Sequence, residues 1–474
     1  VFDKAFYFII KEINMKIKFF GATEKVTGSK LYFEFNHKKI LVDYGMEQEK
    51  SKLEVYKNNF KLNFEPSEID YIFLTHAHID HSLIPYLVKK GFEKIITNIQ
   101  NQELLHHLWE DSCYIIAKDY EYLTKKKNEK KLELLYEKDY KRALNKIIPI
   151  EKQPIYLTSK DLVYKDNEVA RLKEDEKGNY FVFYNNHIVG SSSIVFNYKN
   201  KKEKNNICFS GDIGRKDAPL LKPFEYMTDL KNLVLESTYD RVHNDIMEEK
   251  KFEKILLNLK KKVIIPSFSL DRTQTLIYFL KKIKEKGKLD IPIYIDTPLN
   301  KITKIYEKSL MFFKSPVVEE ILNSKLFSFE LREIETVEES KIISSKKPCI
   351  VIAASMAENR VLFHIEEELK NENTTILFVF TVPSLYQIKN SSFLNIKEVK
   401  INSKIEKIKA NIQSVSFSSH DLKDLLHFIK INTKLKQIIL NHNLESKENL
   451  KKEIAKINKN IEVKIAKNNF YYSI

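Results

Sequence analysis

The run Thr75-His76-Ala77-His78-Ile79-Asp80-His81 packs three imidazoles and a carboxylate into a few residues. Nitrogen and oxygen donors at this density serve cation binding better than packing. The run follows the apolar segment Tyr71-Ile72-Phe73-Leu74. On an extended chain, side chains two apart face the same way, so His76 and His78 are able to meet one ion together. Asp80 and His81 stand at the bend before an expected helix from Leu83 to Lys90, where they face a second ion beside the first.

Two ions need further donors, and these stand where strands are expected to end. His187 follows Phe181-Val182-Phe183-Tyr184 and precedes Gly190-Ser191-Ser192-Ser193. Asp212 follows Ile207-Cys208-Phe209-Ser210 between two glycines, Gly211 and Gly214. His442 follows Ile438-Ile439-Leu440. One such residue at a strand end means little. Their recurrence beside the first cluster argues for a single site assembled from strand C-termini.

The elements that must carry these residues are legible in outline. Strands are expected at Lys16–Phe20, Lys30–Phe35, Lys39–Val42 and Leu233–Glu236, with a charged helical insertion from Glu103 to Asn145. After Arg241 the rhythm becomes strand then helix. Val263–Pro266 precedes a helix from Arg272 to Lys284, Ile291–Asp296 one near Lys301, and Cys349–Ala353 one near Val361. Such alternation predicts a parallel α/β unit. Strands return at Val415–Phe417 and Gln437–Leu440.

Bulk properties narrow the class. A chain of 474 residues exceeds one simple core, and 43% hydrophobic content supports globular domains. No apolar run reaches the roughly 20 residues a membrane span requires. The three cysteines, Cys113, Cys208 and Cys349, lie far apart, which excludes a local thiolate metal motif and favours a reducing cytoplasm. A formal net charge of +15 suits a polyanionic partner, although lysine-rich composition throughout the chain produces the same excess. Phe6-Tyr7-Phe8-Ile9-Ile10 is too short and poorly flanked for a signal peptide, and residues 1–14 are expected to be an upstream extension.

On these residues the chain resembles the metallo-β-lactamase superfamily, and within it the β-CASP branch of nucleic-acid hydrolases, above all its RNA-cleaving members. Phe20-Gly21-Ala22 through Val26-Thr27-Gly28-Ser29 is similar to the first hairpin of that family. Leu41-Val42-Asp43-Tyr44-Gly45 resembles motif 1 and His76 to His81 motif 2, while His187 fits motif 3 and Asp212 motif 4. Glu236 in Leu235-Glu236-Ser237-Thr238-Tyr239 fits motif A, His420 motif B and His442 motif C. The resemblance implies an αββα sandwich with an inserted α/β β-CASP domain. Its expected division is 15–240 for the first part of the sandwich, 241–405 for the insertion and 406–474 for the return.

The resemblance also implies roles. His76, His78 and His187 would hold one ion, Asp80, His81 and His442 the other, and Asp212 would bridge. Two zinc ions are expected, with manganese as the alternative, because imidazole and carboxylate discriminate weakly between them. Asp43 would orient histidines rather than bind metal. The implied activity is metal-dependent hydrolysis of RNA phosphodiester bonds, endonucleolytic in mode, by a hydroxide that the two metals activate, with Asp80 at the catalytic centre, His420 as general acid and Glu236 as its partner. Ser269, Arg272 and Ser355 are expected to hold the RNA backbone at strand-to-helix turns. The expected partner is single-stranded RNA, with no membrane and with a homodimer as one oligomeric option.

Departures from the pattern touch loops rather than donors. Asn186 replaces the glycine usual before the motif 3 histidine, and Asn443 the glycine common after motif C. Asp240 replaces a glycine after motif A, and Ala354-Ser355-Met356 lacks another. Alternatives are a DNA-processing member of the branch, against which His442 argues, and a small-molecule metallo-hydrolase. The long segment between Glu236 and His420 argues against the latter.

Overall fold

The computed structural model describes residues 15–35, 37–48, 52–127, 129, 132–150, 155–157, 162–164, 179–200, 203–223, 228–238, 245–257, 262–268, 270–287, 289, 291–296, 299–323, 331–334, 338–339, 342–343, 348–354, 360–379, 386–390, 396–401, 404–415, 417, 420–443 and 447–474. The upstream segment before Met15 lies outside them. Among the described residues, strands form three large sheets and one two-stranded ribbon.

The first sheet runs Tyr471–Ser473, Lys16–Phe19, Lys30–Phe35, Lys38–Tyr44, Tyr71–Phe73, Ile95–Asn98, Ile147–Ile150. The second runs Glu462–Ile465, Gln437–Asn441, Asn232–Glu236, Glu203–Phe209, Ser192–Asn200, Asn179–Tyr184, Ile155–Leu157, Leu162–Tyr164. Their facing surfaces are closed by aromatic residues. Phe33 meets Phe196 and Phe209 with ring centroids 4.8 and 4.9 Å apart, and Phe73 meets Phe196 at 5.2 Å. Edge-to-face and tilted pairs of this kind add to the stabilisation from burial alone.

Helices cover both outer faces. Leu87 of the helix Ile84–Lys89 and Trp109 of the helix Ile99–Lys127 are buried in one core. Trp109 also donates from Nε1 to the Ser82 carbonyl at 2.6 Å, which pins the chain just beyond the histidine cluster. On the opposite side Leu425, Phe428, Leu450 and Ile454 of helices Leu422–Ile431 and Lys447–Ile457 share a core with Leu233, Ile438 and Leu440. The layers are thus helix, sheet, sheet, helix. The three cysteines are buried thiols outside any disulfide.

The third sheet is parallel throughout, in the order Leu331–Ile334, Ile293–Asp296, Ile350–Ala354, Lys262–Ser267, Thr374–Phe378, Asn411–Ser414. Lys262–Ser267 is buried along its whole length, as a central parallel strand covered on both faces must be. This sheet continues past residue 405, the expected end of the insertion, because Asn411–Ser414 pairs with Thr374–Phe378. The strand expected at Val415–Phe417 lies a few residues earlier; Val415 and Phe417 are buried core residues after it.

Strand direction decides where the site forms. Lys38–Tyr44 and Tyr71–Phe73 are parallel, with Val42 opposite Phe73. Across the sandwich, Phe209, Val234 and Ile439 lie in register on three parallel strands. Parallel strands deliver their carboxyl ends to one edge, where side chains from separate strands converge. Asp43, His76, Asp212, Glu236 and His442 all stand at those ends.

Candidate metal centre

The structure gathers the seven expected donors into two adjoining groups. Donor atoms of His76, His78 and His187 lie within 4.8 Å of one another, as do those of Asp80, His81 and His442. Asp212 lies between the groups. Its Oδ1 is 3.3 Å from His81 Nε2 and 3.6 Å from His442 Nδ1, and its Oδ2 is 3.8 Å from His187 Nε2. His187 Nε2 and His78 Nδ1 are 3.2 Å apart.

Hydrogen bonds fix which nitrogen of each ring faces inward. Asp43 accepts from the Thr75 backbone N–H at 2.8 Å and from Thr75 Oγ1 at 2.9 Å, and lies 2.7 Å from His81 Nδ1. Because the Thr75 hydroxyl proton goes to Asp43, its oxygen is left to accept from His76 Nδ1 at 3.0 Å. A second relay repeats the arrangement. Thr238 Oγ1 donates to Glu236 at 2.7 Å and accepts from His442 Nδ1 at 3.0 Å. In both relays the carboxylate and hydroxyl hold Nδ1 protonated, which leaves Nε2 as a lone pair. Nε2 of His76, His81 and His442 is buried without a hydrogen-bond partner, as are Asp212 Oδ1 and His187 Nδ1. Such atoms are costly to bury unless something else satisfies them.

The relays make a graded expectation. Thr238→Val, which keeps shape but breaks the Glu236–His442 link, should weaken retention of one metal ion about 10- to 100-fold. The ion of the His76, His78 and His187 group should be retained. Metal titration of the variant against the parent checks this.

Backbone geometry holds the His78–His81 turn. Tyr44 N–H donates to the His81 carbonyl at 2.9 Å, Met46 N–H to Ile79 at 2.8 Å, and Ser29 N–H to Asp80 at 2.9 Å. This close approach requires Gly45, where a Cβ would collide with the Asp80 carbonyl. Gly45→Ala should therefore displace Asp80 and His81, lowering thermal stability and metal content together. Left-handed backbone is concentrated here as well, at Asp43 (φ 61°), Asn186 (φ 47°) and His442 (φ 58°). Asn tolerates that region better than most residues, which explains how Asn186 stands before His187 without loss of the turn.

Charge follows the same plan. Burial pushes the imidazoles of His76, His78 and His187 below their ordinary range, so they are neutral, as ligands must be. Burial acts on His81 in the same direction, but Asp212 and Asp43 outweigh it and hold His81 well above. Burial would raise Asp212, yet His442 and His81 hold it well below the usual carboxylate range. Neutral His76, His78 and His187, an ionised Asp212, and a His81 whose Nε2 proton a cation would displace fit a pair of cations.

The remaining expected residues divide. His420 is buried, with Nδ1 3.4 Å from Glu236 Oε1, while the same Glu236 oxygen accepts from the Ile213 backbone at 2.7 Å. Glu236 thus touches the loop of Asp212, the His420 ring and the Thr238 relay. Arg272 begins the helix Arg272–Glu285, and its charge acts on His78 and His187. With Asp271, Arg215 and His187 it lines a small pocket. Ser269 and Ser355 lie outside the described residues. Thr75 and Thr238 were not foreseen, since a hydroxyl beside a motif carries no spacing signal; nor was Arg215.

Comparison with known proteins places this architecture. The Metallo-beta-lactamase superfamily model matches residues 31–267, and the Beta-Casp domain model matches residues 273–383. The chain belongs to the metallo-beta-lactamase superfamily and carries a Beta-Casp domain. Superfamily membership implies metal ions, and the His/Asp groups described above are able to hold them. The chain is 27% identical over 451 residues to Probable RNase MJ4 of Methanocaldococcus jannaschii, covering 91% of this chain and 94% of that protein. It is 27% identical over 380 residues to Ribonuclease TTHA0252 of Thermus thermophilus, covering 77% and 79%. A crystal structure of a protein of unknown function from Enterococcus faecalis V583 shares the fold, with a TM-score of 0.51 at 11% identity over 97% of this chain and all of that one. Among the described residues no helix is long and apolar enough to cross a membrane.

Proposed function

We propose that the protein is a metal-dependent ribonuclease that cuts phosphodiester bonds within single-stranded RNA. The observation that carries this reading is the set of six donors gathered around Asp212, in a chain whose relatives include proteins named as ribonucleases. His76, His78 and His187 would hold one ion, Asp80, His81 and His442 the other, and Asp212 both. A donor set of imidazoles and carboxylates without thiolate suits zinc, and manganese shares the same preferences. When bound, the ions supply an activated water and offset the negative charge added at phosphorus.

The chain's own residues do the rest. Asp43 and Glu236, through Thr75 and Thr238, keep imidazole lone pairs aimed inward. His420 delivers a proton to the departing 3′-oxygen, with its Nδ1 edge set 3.4 Å from the Glu236 carboxylate. Arg272 draws a phosphate toward the His187 side of the centre.

Chelation tests the reading. Purified protein incubated with end-labelled single-stranded RNA should yield internal fragments. The matching DNA should stay intact, and chelator should abolish RNA cleavage until metal is restored. Cleavage that survives chelation, or that falls equally on DNA, contradicts it.

A further inference from the structure

A long groove of 1520 Å³ runs from the loop after Asp212 along the exposed side of the helix Leu422–Ile431 to the end of the helix Lys447–Ile457. On the first helix Lys423, Leu426, His427 and Lys430 line it. Their spacing of three and four places them on one helical face. Asp421, the residue after His420, belongs to the groove's wall. Arg215 lines both this groove and the pocket beside His187 and Arg272. The Arg215 carbonyl also accepts from Asn186, the residue before His187, at 2.7 Å.

The groove's charges do not cancel. Its carboxylates are engaged locally. Asp217 pairs with Arg215 at 2.9 Å, and Glu453 with Lys456 at 2.6 Å. Asp421 caps its own helix, and Asp424 accepts from the Lys216 and Asp421 backbone N–H groups at 3.0 and 2.9 Å. Among the described residues Lys216, Lys423 and Lys430 make no ion pair and are exposed, while Lys314 is half-buried and feels the Asp217 carboxylate. Six cationic side chains against four carboxylates leave the groove an excess of two positive charges, with Lys216, Lys423 and Lys430 exposed. Leu426, Ile457 and Ile461 supply apolar surface between them. Ammonium groups spaced along a groove suit a nucleic-acid strand, whose phosphates they neutralise.

We propose that this groove carries the flank of the RNA strand beyond the scissile bond, an inference that rests on the ribonuclease reading. The strand passes Arg215 as it leaves the metal centre and lies along the Lys423–Lys430 face. The lysines contribute affinity and grip rather than chemistry.

The test is the salt dependence of binding. Metal-loaded wild-type protein and the K216A/K423A/K430A variant are titrated with a fluorescein-labelled 30-nucleotide phosphorothioate oligouridylate, which resists hydrolysis. Each lost phosphate contact flattens the slope of log affinity against log salt by about 0.7, so the triple variant should lose about 2 from its slope. Near 0.1 M salt its affinity should fall on the order of 100-fold. K216R/K423R/K430R should retain slope and affinity, and unchanged melting of the exposed-site variants shows that folding is intact. Equal slopes and affinities for wild type and the alanine variant would overturn the inference, as they would if the lysines served an acidic protein instead. Failure of wild type to cut ordinary RNA would overturn the ribonuclease reading separately, since the slope comparison needs no cleavage.

Discussion

Asp212→Ala should release both ions and lower RNA hydrolysis by about 10³-fold or more. The expectation follows from position: Asp212 is the one carboxylate with an oxygen within 4 Å of His81, His187 and His442 among the described residues. Without it, the His76–His78–His187 group and the Asp80–His81–His442 group would have to accept neighbouring cations with no anion between them. His187→Ala and His442→Ala should each cost mainly one ion, from opposite sides. Elemental analysis of the three variants beside RNA cleavage assays checks the order. Full metal content in Asp212→Ala would remove the bridging role. The folded state should survive, because Asp212 closes a polar cluster and not an apolar core.

His420→Ala should leave metal content unchanged and still slow RNA cleavage by about 10²- to 10⁴-fold, the range for loss of a positioned general acid. The residue is buried against Glu236 and belongs to neither donor group. A diester with a good leaving group needs no proton from the protein. Bis(p-nitrophenyl) phosphate should therefore be hydrolysed by His420→Ala at close to the wild-type rate. Equal losses on both substrates would make His420 a positioning residue only. Glu236→Gln should be harsher than its contact with His420 alone implies, because the same side chain holds the Ile213 backbone and the Thr238 relay.

What the sequence discloses about this site follows from where its residues sit. The His76–His81 run is readable because ligands crowd one short stretch, and the periodicity of an extended chain sorts them. His187, Asp212, Glu236 and His442 are readable because each ends an apolar run, and the parallel ladders bring those ends together. Thr75 and Thr238 are not. Their role exists only through Asp43 and Glu236, which lie 32 and 2 residues away, and hydroxyls occur everywhere. Nor does composition separate Lys423 and Lys430 from the other lysines; only the structure shows them exposed on one helical face along the groove. The edge strand of the third sheet is hard to read for a related reason. The polar alternation Asn411-Ile412-Gln413-Ser414 forms the edge strand, whereas the more apolar Val415 and Phe417 attract attention as core residues.

Crystals grown with zinc and measured at the metal absorption edge address the principal claim. Two anomalous peaks are expected, one enclosed by His76, His78 and His187 and one by Asp80, His81 and His442, with Asp212 reaching both. No peak, or a single peak with Asp212 turned away from it under metal-replete conditions, would contradict the account.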